Sequence, residues 1–181
     1  VHLFIASTKD YLLFFTDAGK VFWLKVYELP EGGRATRGKA IVNLLNLSPD
    51  EKVTAILPVR EFTEDKYIMM ATRQGVVKKT PLLEYSHPRV GGILAVNLDE
   101  GDKLIEVALT DGKQDVLLAS KNGKSIRFRE EDARPQGRVT RGVRGMTLED
   151  DDYVIGMEIV NDMTGSTIFT VTENGFGKRT E

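Results

Sequence analysis

A motif that repeats four times constrains the fold of this chain more than any other feature of its 181 residues. Each copy has an apolar run, two polar or small residues, a glycine and a second run. The copies lie about 50 residues apart, at Leu12–Gly19, Ile68–Gly75, Val116–Gly123 and Ile168–Gly175. Two copies end in Asn-Gly, a strong hairpin signal, because a type I′ turn requires positive φ at both central residues. The motif therefore predicts four β-hairpins, and Asn-Gly indicates type I′ turns for the two copies that carry it.

A second motif follows each of the first three hairpins. A glycine precedes a leucine by the same distance in Gly38–Leu44, Gly92–Leu98 and Gly142–Leu148. Acidic turns come next, and then another apolar strand such as Val53–Leu57 or Leu104–Leu109. Each period of about 50 residues thus holds four short strands, which is typical of propeller blades of roughly 40–50 residues. We predict an all-β, propeller-like fold made of four-stranded blades.

The chain holds about three and a half of these repeats. We predict one partial domain over residues 1–181, with repeat hairpins at about 3–27, 53–80, 104–129 and 154–180. A closed propeller needs more blades. We therefore expect a fragment of a larger array that begins on a strand and ends inside its fourth hairpin. Short turns of helix are expected only around Thr80–Tyr85 and Arg129–Ala133.

Charge is distributed in phase with the repeat. The formal net charge of −2 and the pI near 5.8 argue against a nucleic-acid binder when taken as totals. Arg134–Gly145, however, contains four arginines with glycines between them, whereas acids gather in turns such as Glu149–Asp152. Glycines allow close approach of the backbone, and guanidinium groups match phosphate geometry. This pattern predicts a basic surface on an otherwise acidic domain.

The strand after each hairpin glycine also carries cations. Strand alternation places Arg127 and Arg129 on the face opposite to Ile126 and Phe128. Four residues beyond the four glycines lie, in order, Trp23, Lys79, Arg127 and Arg179. Three cations in four copies predict a repeated cationic position.

Other candidate sites are weak. The sequence shows no nucleophile–base pair and no paired carboxylates in a plausible cleft, and with no cysteine it has no thiolate metal ligands. His2 and His87 are too few and too far apart for a metal site. Glu149–Asp152 lacks the spaced oxygen ligands of a calcium loop, so a solvated turn is expected there. We assign no catalytic, cofactor-binding or metal residues.

The aromatic cluster of the first hairpin has two interpretations. Strand-packed core is the expected role of Phe14, Phe15, Phe22, Trp23 and Tyr27, because aromatic side chains pack well on pleated surfaces. A base-stacking role stays open for Trp23, which shares the cationic position.

The location of the protein is predicted from what the sequence lacks. No apolar run approaches the roughly 18 residues of a membrane helix, and the first residues lack the charged start of a signal peptide. We expect a cytoplasmic protein that does not interact with membranes.

Long stretches of the chain resemble the C-terminal domain of the bacterial DNA gyrase A protein. The resemblance covers essentially the whole chain and rests on Asp10–Thr16, Trp23–Pro30, Arg37–Leu45, Ala71–Thr80, Gly137-Arg138, Gly142–Gly145 and Thr172–Thr180. It implies a six-bladed β-pinwheel, a propeller relative whose blades exchange strands with their neighbours. It also implies that DNA wraps around a positively charged rim and that the wrap supports negative supercoiling.

The resemblance also implies partners. These are double-stranded DNA, the rest of the gyrase A protein, and the gyrase B protein, which together form an A2B2 heterotetramer. No cofactor is expected in this domain, and ATP and Mg²⁺ belong to other domains of the whole enzyme. The family carries a short basic, glycine-rich box before its first complete hairpin. Arg138–Gly145 echoes that box in a different repeat, and we expect the box itself upstream of Val1.

Two alternatives stay open. One is the corresponding C-terminal domain of topoisomerase IV, which lacks the box, and the other is a protein-interaction β-propeller. We predict that the basic residues that recur in phase with the repeat bind DNA. They are Arg34, Arg37, Lys39, Lys78, Lys79, Arg89, Arg127, Arg129, Arg138, Arg141, Arg144, Lys178 and Arg179.

Overall fold

The computed structural model describes residues 4–161 and 165–180, and these residues form β-strands joined by turns and short 3₁₀ helices. The strands are β1 (Tyr11–Thr16), β2 (Lys20–Lys25), β3 (Val53–Val59), β4 (Tyr67–Thr72), β5 (Val76–Pro81), β6 (Ile93–Leu94), β7 (Leu104–Thr110), β8 (Asp115–Ser120), β9 (Ser125–Arg129), β10 (Val143–Arg144), β11 (Val154–Val160), β12 (Ile168–Val171) and β13 (Gly177–Thr180). The all-β prediction is confirmed.

Successive repeats exchange strands. The first sheet has the order β3-β1-β2-β6 and the second has the order β7-β4-β5-β10, with antiparallel neighbours throughout. In each of these sheets the last strand, β6 or β10, comes from the repeat that follows and pairs with the second strand of the hairpin. The third sheet, β11-β8-β9, and the two-stranded sheet β12-β13 complete the described part. Four-stranded blades, strand exchange and about three and a half repeats are therefore confirmed.

The strand that precedes each hairpin belongs to the sheet before it. The sequence groups Val53–Val59 with the second hairpin, whereas the structure pairs this strand with β1. Strand β3 packs against β7 of the second sheet, where Thr54 Oγ1 donates a hydrogen bond to Ile105 O at 2.8 Å. Thus β3 and β7 meet at the inner edges of their sheets. The exchanged strands β6 and β10 lie at the opposite, outer edges.

The hairpin turns differ from the prediction. The four hairpin glycines, from Gly19 to Gly175, have φ between 75° and 84°, but none of the residues before them has positive φ. The N–H of Gly19 donates to Thr16 O at 2.9 Å, and the other three hairpins repeat this bond. This is a type I turn followed by a left-handed glycine, the pattern of a three-residue loop. The type I′ prediction is wrong because the loop contains one residue more than that turn allows.

The acids of the inter-strand turns stabilise the hairpin turns. Asp102 Oδ1 accepts the N–H of Gln74 at 2.9 Å. In the next repeat, Asp152 accepts the N–H of Asn122 at 3.0 Å and the hydroxyl of Ser120 at 2.7 Å. A carboxylate that accepts a backbone N–H forms a stronger bond than a neutral acceptor. This role explains why the acids recur with the repeat.

The core lies between neighbouring sheets. Leu13, Phe15 and Trp23 of the first sheet pack against Ile68 and Met70 of the second in one buried cluster. A second cluster joins the second and third sheets. A third covers the remaining face of the first sheet, where Phe14 and Phe22 lie. The core prediction is therefore confirmed for four of the five aromatic residues, and it is wrong for Tyr27, which is 66% exposed.

Helical structure is confined to short 3₁₀ segments. Leu82–Tyr85 and Glu130–Asp132 confirm the two predicted turns of helix, and Val26–Glu28 and Ile41–Asn43 were not predicted. Residues 4–10 form no strand, contrary to the expectation that the chain begins on one, and the first three residues lie outside the described part. No helix in residues 4–161 or 165–180 has the length and apolar character that a membrane crossing needs.

Candidate nucleic-acid interface

The segment Arg134–Arg144, called the arginine loop below, runs along the outer edge of the second sheet. It begins with a bridge between Pro135 and Lys79, followed by a bond from Gln136 N to Lys79 O at 2.8 Å. It ends in β10, which pairs with β5. The loop is thus the connection that delivers the exchanged strand, and pairing with β5 fixes both of its ends.

The middle of the arginine loop reaches the first sheet. The N–H of Asn97 donates to Thr140 O at 3.1 Å. Arg138 Nη1 lies 3.5 Å from Leu94 O on β6, and Arg141 forms an ion pair with Asp99 just beyond β6. The loop therefore spans the outer edges of two sheets. It brings Arg138, Arg141 and Arg144 onto one surface, as the sequence predicted they would cluster.

The charges on this surface are only weakly neutralised. Arg138 Nε lies 3.7 Å from Glu84 Oε2, with both side chains partly exposed. The side chains of Arg141 and Asp99 are 63% and 35% exposed. Exposed ion pairs contribute only about 0–1 kcal/mol, so Arg141 can exchange its carboxylate for another anion, whereas Arg138 can reach one only with the exposed part of its guanidinium group, because its Nε is buried.

Arg144 lines a cleft beside these pairs. The cleft has a volume of about 460 Å³ and is also lined by Arg141 and Gln74. Within the described residues, Arg144 forms no ion pair or hydrogen bond through its exposed side chain. An anionic oxygen could therefore reach two guanidinium groups in one cleft. The contacts of Glu84 and Asp99 could not be predicted from the sequence, because both join different repeats.

Lys78 does not belong to the exposed basic surface. Its side chain is 1% exposed, and its Nζ donates to Ala95 O at 2.7 Å and also to Arg138 O. The pKa of Lys78 is lowered from its ordinary 10.5 to about 8; burial is the largest cause, the nearby Arg138 charge adds to the lowering, and Glu84 opposes it. The prediction of a phosphate contact is wrong for Lys78, because the exchanged strand and the arginine loop cover it.

The repeated position after the hairpin glycine joins neighbouring sheets. Lys79 is 4% exposed, and its Nζ donates to Glu130 O at 2.8 Å. The equivalent Trp23 is 8% exposed and donates Nε1–H to Tyr85 O at 3.0 Å. In both repeats a side-chain N–H therefore satisfies a carbonyl of the 3₁₀ turn after the next hairpin. The phosphate prediction for Lys79 is wrong, and Trp23 is not available to stack on a base.

The predicted cations of the third and fourth sheets are exposed. Arg127 Nε donates to Asp115 Oδ2 at 2.7 Å, and Arg129 ends the same strand. Arg179 Nε donates to Thr167 Oγ1 at 2.7 Å, beside Lys178. These four residues lie on β9 and β13, so the structure does not gather them into the arginine loop.

The first repeat, and the second repeat at Arg89, place their predicted cations in loops. Arg34, Arg37 and Lys39 lie in the exposed segment 31–40, which contains no strand. Arg89 is exposed at the turn before β6, where its carbonyl accepts the N–H of Gly92 at 2.9 Å. Exposed cations thus occur in all four repeats. In the described part, no group of histidine and acidic side chains is placed to hold a metal ion.

These features define a class of propeller-like domain whose sheets exchange outer strands and whose outer edge carries arginines. Comparison with known proteins narrows the class to one family. A family profile described as "DNA gyrase C-terminal domain, beta-propeller" matches residues 10–60, 66–111, 114–161 and 166–181. The chain belongs to this family.

Individual relatives agree with this assignment. The DNA gyrase A protein of Salmonella typhimurium is 51% identical over 178 residues, which cover 98% of this chain and 20% of that protein. The chain thus spans about a fifth of that relative's length.

Solved structures share the fold. The C-terminal domain of DNA topoisomerase IV matches with a TM-score of 0.88 and 32% identity, over 95% of this chain and 53% of that one. The C-terminal domain of DNA gyrase A matches with a TM-score of 0.78 and 26% identity, over 96% of this chain and 55% of that one.

Proposed function

We propose that this chain binds duplex DNA through phosphate contacts on its outer edges and bends it, as part of the surface on which gyrase wraps DNA for negative supercoiling. The observation that carries the proposal is the arginine loop, which presents the exposed Arg141 and Arg144 and the partly exposed Arg138 across two sheets with weakly neutralised charges. Phosphate contacts of this kind position a protein on DNA with little base readout.

Bending requires cations on several sheets. Bending a 20–30 bp site by 40–90° costs on the order of 1–6 kcal/mol, so contacts at one point cannot hold it. The exposed cations lie on the first sheet at Arg89, in the arginine loop, on β9 and on β13. We infer that the outer edge supplies successive contacts along the duplex. The chain covers about half of each solved domain, and it should bend DNA less than a complete domain.

The proposal gives the chain a non-catalytic role. It would act in the cytoplasm with the rest of the gyrase A protein and with the gyrase B protein, without a cofactor of its own. Gyrase is preferred over topoisomerase IV because the 51% identical relative is a gyrase A protein. A protein-interaction propeller is disfavoured by the family membership and by the exposed arginines.

The test is binding to a labelled duplex of about 40 bp over a salt series. We expect a steep fall of affinity with salt, of about 0.9 log units per log unit of salt for each neutralised phosphate. The triple variant Arg138→Ala/Arg141→Ala/Arg144→Ala should flatten this slope by up to about 2.7. The matched control is Lys9→Ala/Lys52→Ala/Lys113→Ala, which removes the same charge from positions outside the arginine loop.

The control decides whether location or total charge matters. If both triple variants weaken binding equally, the arginine loop is not the DNA path. If the wild-type chain does not bind the duplex, or binds with an affinity that does not depend on salt, the proposal fails. The result would then favour the protein-interaction β-propeller. A donor–acceptor pair at the ends of the duplex tests bending, since unchanged energy transfer on saturation would contradict it.

A further inference from the structure

The buried ammonium of Lys78 joins three segments of the chain. The residue lies on β5 of the second sheet, and its Nζ donates to Ala95 O, just after the exchanged strand β6 of the first sheet. The same Nζ donates to Arg138 O, in the middle of the arginine loop. One side chain therefore holds the second sheet, the end of β6 and the arginine loop together.

Burying a lysine at this position is energetically unfavourable compared with burying an apolar side chain. The ammonium is removed from water, yet no carboxylate in the described part forms an ion pair with it. Burying an unpaired charge is unfavourable unless hydrogen bonds compensate for the lost water. The two carbonyls accept two of its three donors. The neighbouring charges that act on it are Arg138, of the same sign, and Glu84, of the opposite sign. Packing alone would be served better by an apolar side chain.

Pairing with β5 holds the two ends of the arginine loop, whereas the middle of the loop is hydrogen-bonded to β5 through this side chain. Between Gly137 and Gly142, the other described hydrogen bonds to neighbouring segments reach the first sheet through Leu94, Asn97 and Asp99, and a longer ion pair joins Arg138 Nε to Glu84 Oε2, after β5, at 3.7 Å. Thr140 bonds Gly137 within the loop itself. Within the residues described, Lys78 supplies the hydrogen bond from β5 to this stretch.

We propose that Lys78 is a positioning residue that fastens the arginine loop to β5 and to the end of the exchanged strand β6. Arg138 and Arg141 are thereby held in a fixed arrangement for phosphate. The inference rests on the proposed DNA binding for its consequence, but not for the fastening itself. Lys78 does not touch DNA, because it is covered by the exchanged strand and the loop. Its loss should loosen residues 137–142 and weaken DNA binding while the sheets remain folded.

The test compares Lys78→Met with Lys79→Met. Lys79 is the matched control because it is the neighbouring lysine, is also buried, and donates to Glu130 O towards the third sheet. Hydrogen exchange of the Asn97 and Thr140 amides, which both bond to carbonyls of the arginine loop, should be about tenfold faster or more in Lys78→Met, since local opening then lacks one restraint. Exchange there should stay near the wild-type rate in Lys79→Met. Affinity for the 40 bp duplex should fall about tenfold only in Lys78→Met, with a salt slope reduced by about 1–2.

Chemical rescue separates positioning from general damage. The chain contains no cysteine, so Lys78→Cys introduces a single thiol. In the unfolded chain this thiol displaces bromide from 2-bromoethylamine, and the new side chain carries an ammonium at nearly the length of lysine. After refolding, the modified protein should recover slow exchange and the wild-type salt slope, whereas the unmodified variant should not.

The outcomes are distinct. Unchanged exchange and salt slope in Lys78→Met would overturn the inference, and so would equal losses in Lys79→Met or a failed rescue of a folded protein. If the wild-type chain does not bind the duplex, the proposed function fails. The hydrogen-exchange comparison then still decides whether Lys78 fastens the loop.

Discussion

Replacing Asp99 with asparagine should strengthen DNA binding. Its carboxylate forms the ion pair with Arg141 at the outer edge, and both side chains are partly exposed. A phosphate must compete with that carboxylate for the guanidinium group. Asp99→Asn removes the competitor while keeping the shape of the side chain. The change should therefore raise affinity where a simple loss of contacts would lower it.

The size of the gain follows from the exposure of the pair. An exposed ion pair is worth about 0.2–1 kcal/mol, and about 1.4 kcal/mol corresponds to a factor of ten in affinity. The gain should therefore be about 1.5- to 5-fold at low salt. To the extent that Asp99 keeps Arg141 from phosphate in the wild type, the slope of log affinity against log salt should steepen by up to about 0.9, and the loss in the triple arginine variant should fall short of about 2.7 by the same amount.

The assay is the salt series with the 40 bp duplex, with Glu100→Gln as the control. Glu100 is the next residue, is exposed and forms no ion pair among the described residues. Its replacement makes the same change of net charge. We expect Glu100→Gln to leave the slope unchanged. Equal gains and equal slopes for the two variants would refute the reasoning, because only long-range charge would then be at work.

Three further predictions concern stability and are checked by urea unfolding. Trp23→Phe removes the donor to Tyr85 O and should lower the free energy of unfolding by about 1–3 kcal/mol; no loss would contradict the inter-sheet role. Gly142→Ala should cost about 1–3 kcal/mol, because φ is +100° and a Cβ would clash with Val77 O. For Lys78, the folded pKa of about 8 lies below the ordinary 10.5, so the unfolded chain binds more protons between these values. The free energy of unfolding of the wild type, relative to that of Lys78→Met, should therefore rise from pH 8 to pH 10.5. The rise should be at most about 3 kcal/mol, at about 1.4 kcal/mol per pKa unit. If the difference between the two proteins stays constant over this range, Lys78 titrates normally.

The repeat and its hairpins could be predicted because their signals are local. An apolar run, a polar pair and a glycine are read within one segment, and the hairpins beginning at β1, β4, β8 and β12 follow them. The turn type could not be fixed from Asn-Gly alone. In the structure, the hairpin glycine is the third residue of a three-residue loop, and the two residues before it have negative φ.

The burial of Lys78 and Lys79 could not be predicted for a different reason. Alternation along a strand places them on opposite faces of the sheet, but it does not say what covers each face. The covering groups are Ala95, at the exchanged end of the same repeat, and Arg138 and Glu130, which come from the next repeat. A cation repeated in phase can thus be an inter-sheet contact as well as a surface charge. The arginines of the loop were predicted correctly as a cluster because they lie close together in sequence.

Strand exchange makes the interface and the fold depend on the same segment. The arginine loop both delivers β10 to the second sheet and carries the guanidinium groups that span two sheets. The acids that lower the net charge lie at the hairpin turns, where Asp102 and Asp152 bind backbone N–H groups. Removing those acids to make the domain more basic would therefore destabilise turns without adding a phosphate contact. Affinity for DNA should respond to how firmly the loop is held much more than to the total charge of the chain.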